Sequence, residues 1–176
     1  MIFEKGSYVV YGINGICKVE DIRTLNIDGI PKDRLYYVLI PTQRKESEIF
    51  TPVHNQKVQM RKILNKQEAE QLIDQIPEVK TLWIQNERER EQCYKQYLRT
   101  CDCMDCVRII KTLYLRKRDR LVQGKKVTAV DERYLKMAEE NLYAELALVF
   151  ELSEEQMEAY ITKRLEKKKQ TKAITS

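Results

Sequence analysis

QMRKILNKQEAEQLIDQ, residues 59–75, is where the character of this chain changes. Its first half is polar and basic. Its second half opens with Asn65-x-x-Glu68, the spacing at which a helix cap and the third helical residue exchange hydrogen bonds. Residues before this point read as strands, and residues after it read as helices. The expected organisation is a β domain over 1–62, a helical domain over 63–165 and a basic, disordered tail over 166–176.

Working back from that boundary, the short period dominates. SYVVY (7–11) is β-branched and aromatic, ICKVEDIRTL (16–25) alternates, and RLYYVLI (34–40) and SEIFTPV (47–53) follow as further strands. In 16–25, Ile16, Lys18 and Glu20 share one parity, and Cys17, Val19 and Asp21 the other. Asn14-Gly15 and Asp28-Gly29 mark turns, the second as a type I′ pair in which both residues take positive φ. Short strands and tight turns predict a small, strongly curved, antiparallel sheet. Pro52 suits a strand end or edge because it has no N–H to donate.

Working forward, Asp102-x-x-Asp105, Thr128-x-x-Asp131 and Ser153-x-x-Gln156 repeat the cap spacing, each just before an apolar periodic run. The third predicted helix carries Cys103, Cys106, Val107, Ile110, Leu113 and Tyr114 on one face, and the fourth Leu135, Ala138, Leu142, Leu146 and Val149. Such stripes on consecutive helices with short connections predict a compact bundle. The fold class is α+β.

Charge and composition narrow the function. The net charge is +5, with 10 Lys+Arg against 7 Asp+Glu over residues 1–62, 16 against 19 over 63–162, and 6 against 1 over 163–176. Between Arg108 and Lys126 lie eight basic residues and a single acid, Asp119. A basic patch of this kind fits a phosphate-bearing partner or a solvated helix face. No apolar run supports a signal peptide or a membrane span, and five cysteines without such a signal point to a reducing cytoplasm.

Two classes of chemistry are poorly served. Cys101, Cys103 and Cys106 lie close together, but there is no paired CxxC, and the single histidine, His54, belongs to the other half. Cys103 and Cys106 also fit the apolar stripe of their own helix, where a thiol packs as a small hydrophobe. No metal and no cofactor are expected. His54 has no nucleophile context, the five glycines form no phosphate-cradling loop, and Glu139-Glu140 reads as surface. The chain reads as a binding protein without a small-molecule substrate, not an enzyme.

Trp83, the only tryptophan, stands at the head of a charged run. With Thr81 as cap of a helix starting at Leu82, its same-face neighbours are Asn86, Glu87 and Arg90. Trp83 then either projects from the bundle or covers Ile76 or Val79. A projecting tryptophan flanked by Arg88, Arg90 and Lys95 has what a nucleic-acid wedge requires, a ring to displace a stacked neighbour and cations to hold phosphates.

The whole pattern resembles the CarD/CdnL regulators of bacterial RNA polymerase. FEKGSYVVYGINGICKVEDI (3–22) is similar to that family's opening, F-x-x-G-D-x-V-V-Y-P-x-H-G, with Phe3, Gly6, Val9, Val10, Tyr11 and Gly15 matching. Trp83 falls at the family's tryptophan, Asp102 at the helix start after its second helix, and residues 113–148 resemble its basic turn and long fourth helix. The resemblance implies a Tudor-like domain that docks on the polymerase β subunit by strand-edge pairing. It also implies a helical domain that stabilises the open promoter complex from the upstream edge of the bubble, its tryptophan in the minor groove. The implied DNA contacts are Trp83, Arg88, Arg90, Lys125, Lys126 and Arg133, and the implied polymerase contacts are Leu25, Ile27 and Phe50. Departures are Ser7, Gly12 and Asn14 for the family's Asp, Pro and His, Leu25 and Phe50 for two arginines, and Glu132 for a lysine that Lys125-Lys126 replaces. An adaptor that binds polymerase or another partner without strong DNA contact is the alternative, and a zinc-dependent nucleic-acid enzyme a distant third.

Overall fold

The computed structural model describes residues 3–29, 31–84 and 86–174. The chain divides after Ile63 into two compact units, a β unit and a helical unit, so the architecture is α+β.

The β unit is one antiparallel sheet of β1 (Tyr8–Tyr11), β2 (Ile16–Thr24), β3 (Leu35–Pro41), β4 (Ile49–Pro52) and β5 (Met60–Lys62), ordered β4-β3-β2-β1-β5. Register places Val9 opposite Cys17 and Val19 opposite Leu39. Cross-strand partners share a face, so these side chains meet with Phe3, Tyr11 and Tyr37 in one buried cluster. Tyr37 anchors it, accepting the Phe3 N–H on its hydroxyl at 2.9 Å while the two rings meet edge-on at 5.8 Å.

Three local expectations give way here. The alternation of 16–25 breaks at Glu20, where the ladder jumps from Val19–Leu39 to Asp21–Val38. One extra residue reverses the parity beyond it, so Ile22 joins the cluster and Asp21 turns to the Lys5 ammonium at 3.2 Å. Neither turn pair is type I′, because Asn14 and Asp28 do not have positive φ. Residues 12–14 form a 3₁₀ turn with φ of 50° at Gly12, where a Cβ would sit 2.7 Å from Val58 Cγ1. The basic stretch at the boundary supplies β5, which pairs with β1 (Tyr11 opposite Met60). A three-residue strand uses only backbone partners and leaves no alternation to read.

The helical unit contains α1 (Lys66–Gln75), α2 (Arg90–Arg99), α3 (Cys103–Val122), α4 (Ala129–Phe150) and α5 (Glu154–Ile174). Four starts follow the cap spacing. Asn65 and Glu68 form a full capping box, Asp102 accepts from the Met104 N–H, Thr128 from the Asp131 N–H, and Gln156 reaches back to the Ser153 N–H. Ile73, Tyr94, Ile109, Leu113, Leu146 and Met157 fill the centre. Ile109 is fully buried where Ile110 was expected, and Tyr114 is half-exposed. α3 is enclosed by partners on more than one side, so its buried arc is wider than a single stripe.

The disordered tail is the largest correction, because α5 continues through Ile174. Residues 166–174 contain no proline or glycine, and the helix is tied to α1 just before them and within them. Arg164 grips Asp74 at 2.9 and 3.2 Å, and Lys168 Nζ donates to the Asp74 carbonyl at 3.0 Å.

Candidate nucleic-acid interface

Trp83 does not lie on a helix. After a 3₁₀ turn at Ile76–Glu78 the chain stays non-helical through Ile84, and helix α2 starts only at Arg90, preceded by a 3₁₀ turn at Glu87–Glu89. The cap is Asn86, whose Oδ1 accepts from the Arg88 N–H at 3.0 Å, not Thr81. Asn86-x-x-Glu89 has the same spacing as the other caps and was legible.

The segment is held against α3. Lys111 Nζ donates to the carbonyls of Pro77 (2.9 Å) and Val79 (2.7 Å), and the Leu82 N–H donates to the Thr112 hydroxyl at 2.8 Å. Leu82 and Ile84 pack against the helical core. In an extended chain alternate side chains point to opposite sides, so anchoring residues 82 and 84 turns Trp83 outward. It is 90% exposed. That exposure rules out the reading in which it covers Ile76 or Val79.

Beneath it lies an ionic network. Glu87 receives Arg90 at 2.7 and 3.2 Å and Arg116 at 2.7 and 3.0 Å, while Arg116 Nε also donates to buried Asp131 at 2.8 Å. The hydrogen bond from Arg90 holds the Glu87 carboxyl below its usual range against partial burial, and Arg116 adds to it. Arg90 also donates to the Tyr94 hydroxyl at 2.8 Å, and its side chain is only 12% exposed. Arg90 is therefore a brace that fixes the start of α2. Arg133 is exposed, paired at the surface with Glu91 and lying 4.9 Å over the Tyr134 ring.

Three of the predicted cations stay available. Arg88 and Lys126 are exposed, with no side-chain ion pair among the described residues, and Lys125 makes one neutral bond, to the Gln123 amide at 2.9 Å. A cleft of about 610 Å³ separates the Thr81–Ile84 segment from the end of α3, lined by Trp83, Arg116, Asp119, Arg120, Gln123 and Lys125 among others. Sequence reading marked the basic run but did not single out Arg120 or Gln123, because only packing puts that end of α3 beside the tryptophan.

In the β unit, Leu25 is 5% exposed and so presents almost no surface of its own. It lies in the loop after β2, a small apolar side chain folded under where a charged one would stand out. Ile27 is 43% exposed, and Phe50 lies half-buried on β4, an edge strand whose outer side has no neighbour in the sheet among the described residues.

The cysteines pack. Cys103 and Cys106 belong to the helical core, and the Cys103 thiol donates to buried Glu145 at 2.9 Å, whose other oxygen accepts the Leu64 N–H at 2.8 Å. Glu145 went unmarked, since its position only becomes polar-satisfied once Leu64 and Cys103 arrive from distant sequence. Among the described residues, no group of three or more His, Cys, Asp or Glu is arranged to hold a metal ion, and no helix is long and apolar enough to cross a membrane.

No curated protein matches the chain at a significant level. The profile of the CarD-like/TRCF RID domain matches residues 3–64, and that of the CarD C-terminal domain matches residues 71–162. These spans follow the two units in order and cover most of the sequence, and the chain belongs to the CarD family of RNA polymerase-interacting transcription factors.

Proposed function

We propose that this protein docks on the RNA polymerase β subunit through its β unit and stabilises the open promoter complex through DNA contacts at the upstream edge of the bubble. The observation that carries the reading is the outward tryptophan, 90% exposed and fixed by the inward packing of Leu82 and Ile84. An outward aromatic ring beside cations is the arrangement by which a side chain wedges or stacks against bases while the cations hold phosphates. Arg88, Lys125 and Lys126 supply the phosphate contacts, Arg90 supports them from within the fold, and Arg133 stands exposed beside Glu91. On the polymerase side, the outer edge of β4 offers unpaired backbone groups for strand addition, with Phe50 and Ile27 as apolar contacts.

A second reading, an adaptor without strong DNA contact, draws on the ion pairs that neutralise Arg90 and Arg133. The lifetime of open complexes formed by cognate polymerase, measured with and without the full chain, separates the two. Prolonged lifetimes support DNA-dependent stabilisation. Polymerase binding with unchanged lifetimes supports the adaptor.

A further inference from the structure

A groove of about 440 Å³ lies in the helical unit, where α3 and α5 flank α4. Val107, Ile110 and Tyr114 wall it from α3, Ile161 and Leu165 wall it from α5, and buried Leu142 of α4 lies between them. The walls are left open to water, since Ile110, Ile161 and Leu165 are half-buried and Tyr114 is 51% exposed. Apolar rows at helical spacing are the surface on which a further helix packs. The α3 row does not stop at the groove. Leu121 stands seven residues beyond Tyr114, close to two full turns, and so on the same face. The α3 residues that line the tryptophan cleft, among them Leu115, Arg116, Asp119 and Gln123, belong to another face. Leu121 is 58% exposed and its neighbour Val122 84%, so the row ends in an apolar tip clear of the bundle.

Charge is laid out along this face in two blocks. At the groove, Glu158 stands with Tyr114 and Tyr143 in the lining. Glu139 crowds the same end: burial, with Glu139, Glu158 and Tyr114 adding to it, pushes the Tyr143 hydroxyl up to about 12. Neither carboxylate is in an ion pair among the described residues, and Glu139 feels Lys117 only at a distance. Lys111, which also lines the groove, is spent on the carbonyls of Ile76, Pro77 and Val79. The groove is therefore left acidic. Between it and the tip stand Lys117 and Arg118, both exposed, and Arg118 meets only the exposed, adjacent Asp119 at 3.5 Å. An acidic apolar groove and a basic apolar tip are complementary in shape and charge. Along one continuous helix they lie too close to meet within a single chain.

We propose that two copies of this chain pair through this face, their α3 helices crossing antiparallel. Leu121 of each copy sits at the Tyr114 end of the other's groove, and Lys117 and Arg118 face the other's Glu139 and Glu158. The contact is reciprocal, as a two-fold interface requires, and it closes at two copies. Because the face is distinct from the tryptophan cleft, the pairing goes beyond the proposed function and does not rest on it.

Sedimentation equilibrium of the full chain over a concentration series reads the pairing. The expected result is a monomer–dimer equilibrium that stops at two copies and weakens as salt is raised. Leu121→Asp should weaken it roughly ten- to hundredfold, the range of one buried apolar side chain. Glu158→Lys should weaken it roughly three- to tenfold by setting like charges against each other. Both side chains are exposed, so the melting temperature stays near that of the parent. Arg118→Glu combined with Glu158→Lys exchanges the two charges and should restore the pair. A parent that stays monomeric to about 1 mM, assembly that grows past two copies, or pairing unchanged in both single variants overturns the proposal. Loss in Glu158→Lys without recovery in the double exchange overturns the charge match between the copies.

Discussion

Trp83→Ala separates a role in the fold from a role on a partner. A fully buried tryptophan covers roughly 150–250 Å², and a side chain that is 90% exposed hides about a tenth of its surface. That is roughly 15–25 Å², or ~0.5 kcal/mol at about 25 cal/mol per Å². Leu82 and Ile84 keep their packing, and the Leu82 N–H keeps Thr112, so no cavity opens. For a unit of this size the melting temperature should fall by roughly 2–4 °C. On DNA the same truncation removes one stacking or wedge contact, about 1–3 kcal/mol. At about 1.4 kcal/mol per decade this shortens open-complex lifetimes roughly five- to hundredfold relative to the parent. Thermal unfolding and promoter-complex decay, run on the same preparation, test both numbers. A melting drop beyond about 10 °C would show that the ring is structural, and unchanged complex lifetimes would refute the wedge.

Gly12→Ala should cost about 1–3 kcal/mol, because φ of 50° is strained for any Cβ and that atom would meet Val58 Cγ1 at 2.7 Å; urea unfolding measures it. Leu25→Arg should destabilise the β unit by about 3 kcal/mol or more, since a buried site would receive an unpaired charge, whereas Ile27→Asp should leave unfolding nearly unchanged and weaken β-subunit binding. Circular dichroism and a polymerase pull-down distinguish the two outcomes. Burial, then the neighbouring Glu158, raises the Glu139 carboxyl above its usual range, so its ionisation opposes folding. That cost appears as pH rises above the unfolded value of 4.5 and is complete above the folded one, so Glu139→Gln should raise the melting temperature at pH 7 and not at pH 3. Four available cations, Arg88, Arg120, Lys125 and Lys126, predict a slope of about −3 to −4 in log affinity against log salt for DNA, and a slope near zero would remove the phosphate contacts.

Caps and periods act over a few residues, and they were readable without any structure. Asn65, Asp102, Thr128 and Ser153 mark helix starts because the bonds that cap a helix join neighbours in sequence. The four longer strands were visible for a similar reason, as was the family resemblance, which rests on the order of such local signals. Tertiary structure decided the rest. The bulge at Glu20 swaps Ile22 for Asp21 in the β core, because an inserted residue is fixed by its partner strand and leaves no mark on its own. Residues 166–174 become helix because α1 holds α5 through Asp74. Arg88 and Arg90 are two residues apart, yet one faces solvent and the other braces Glu87 and Tyr94. Trp83 points outward because Leu82 and Ile84 find the helical core on the opposite side. Direction and burial depend on what arrives from elsewhere in the chain, and a residue's own neighbours in sequence do not carry that information.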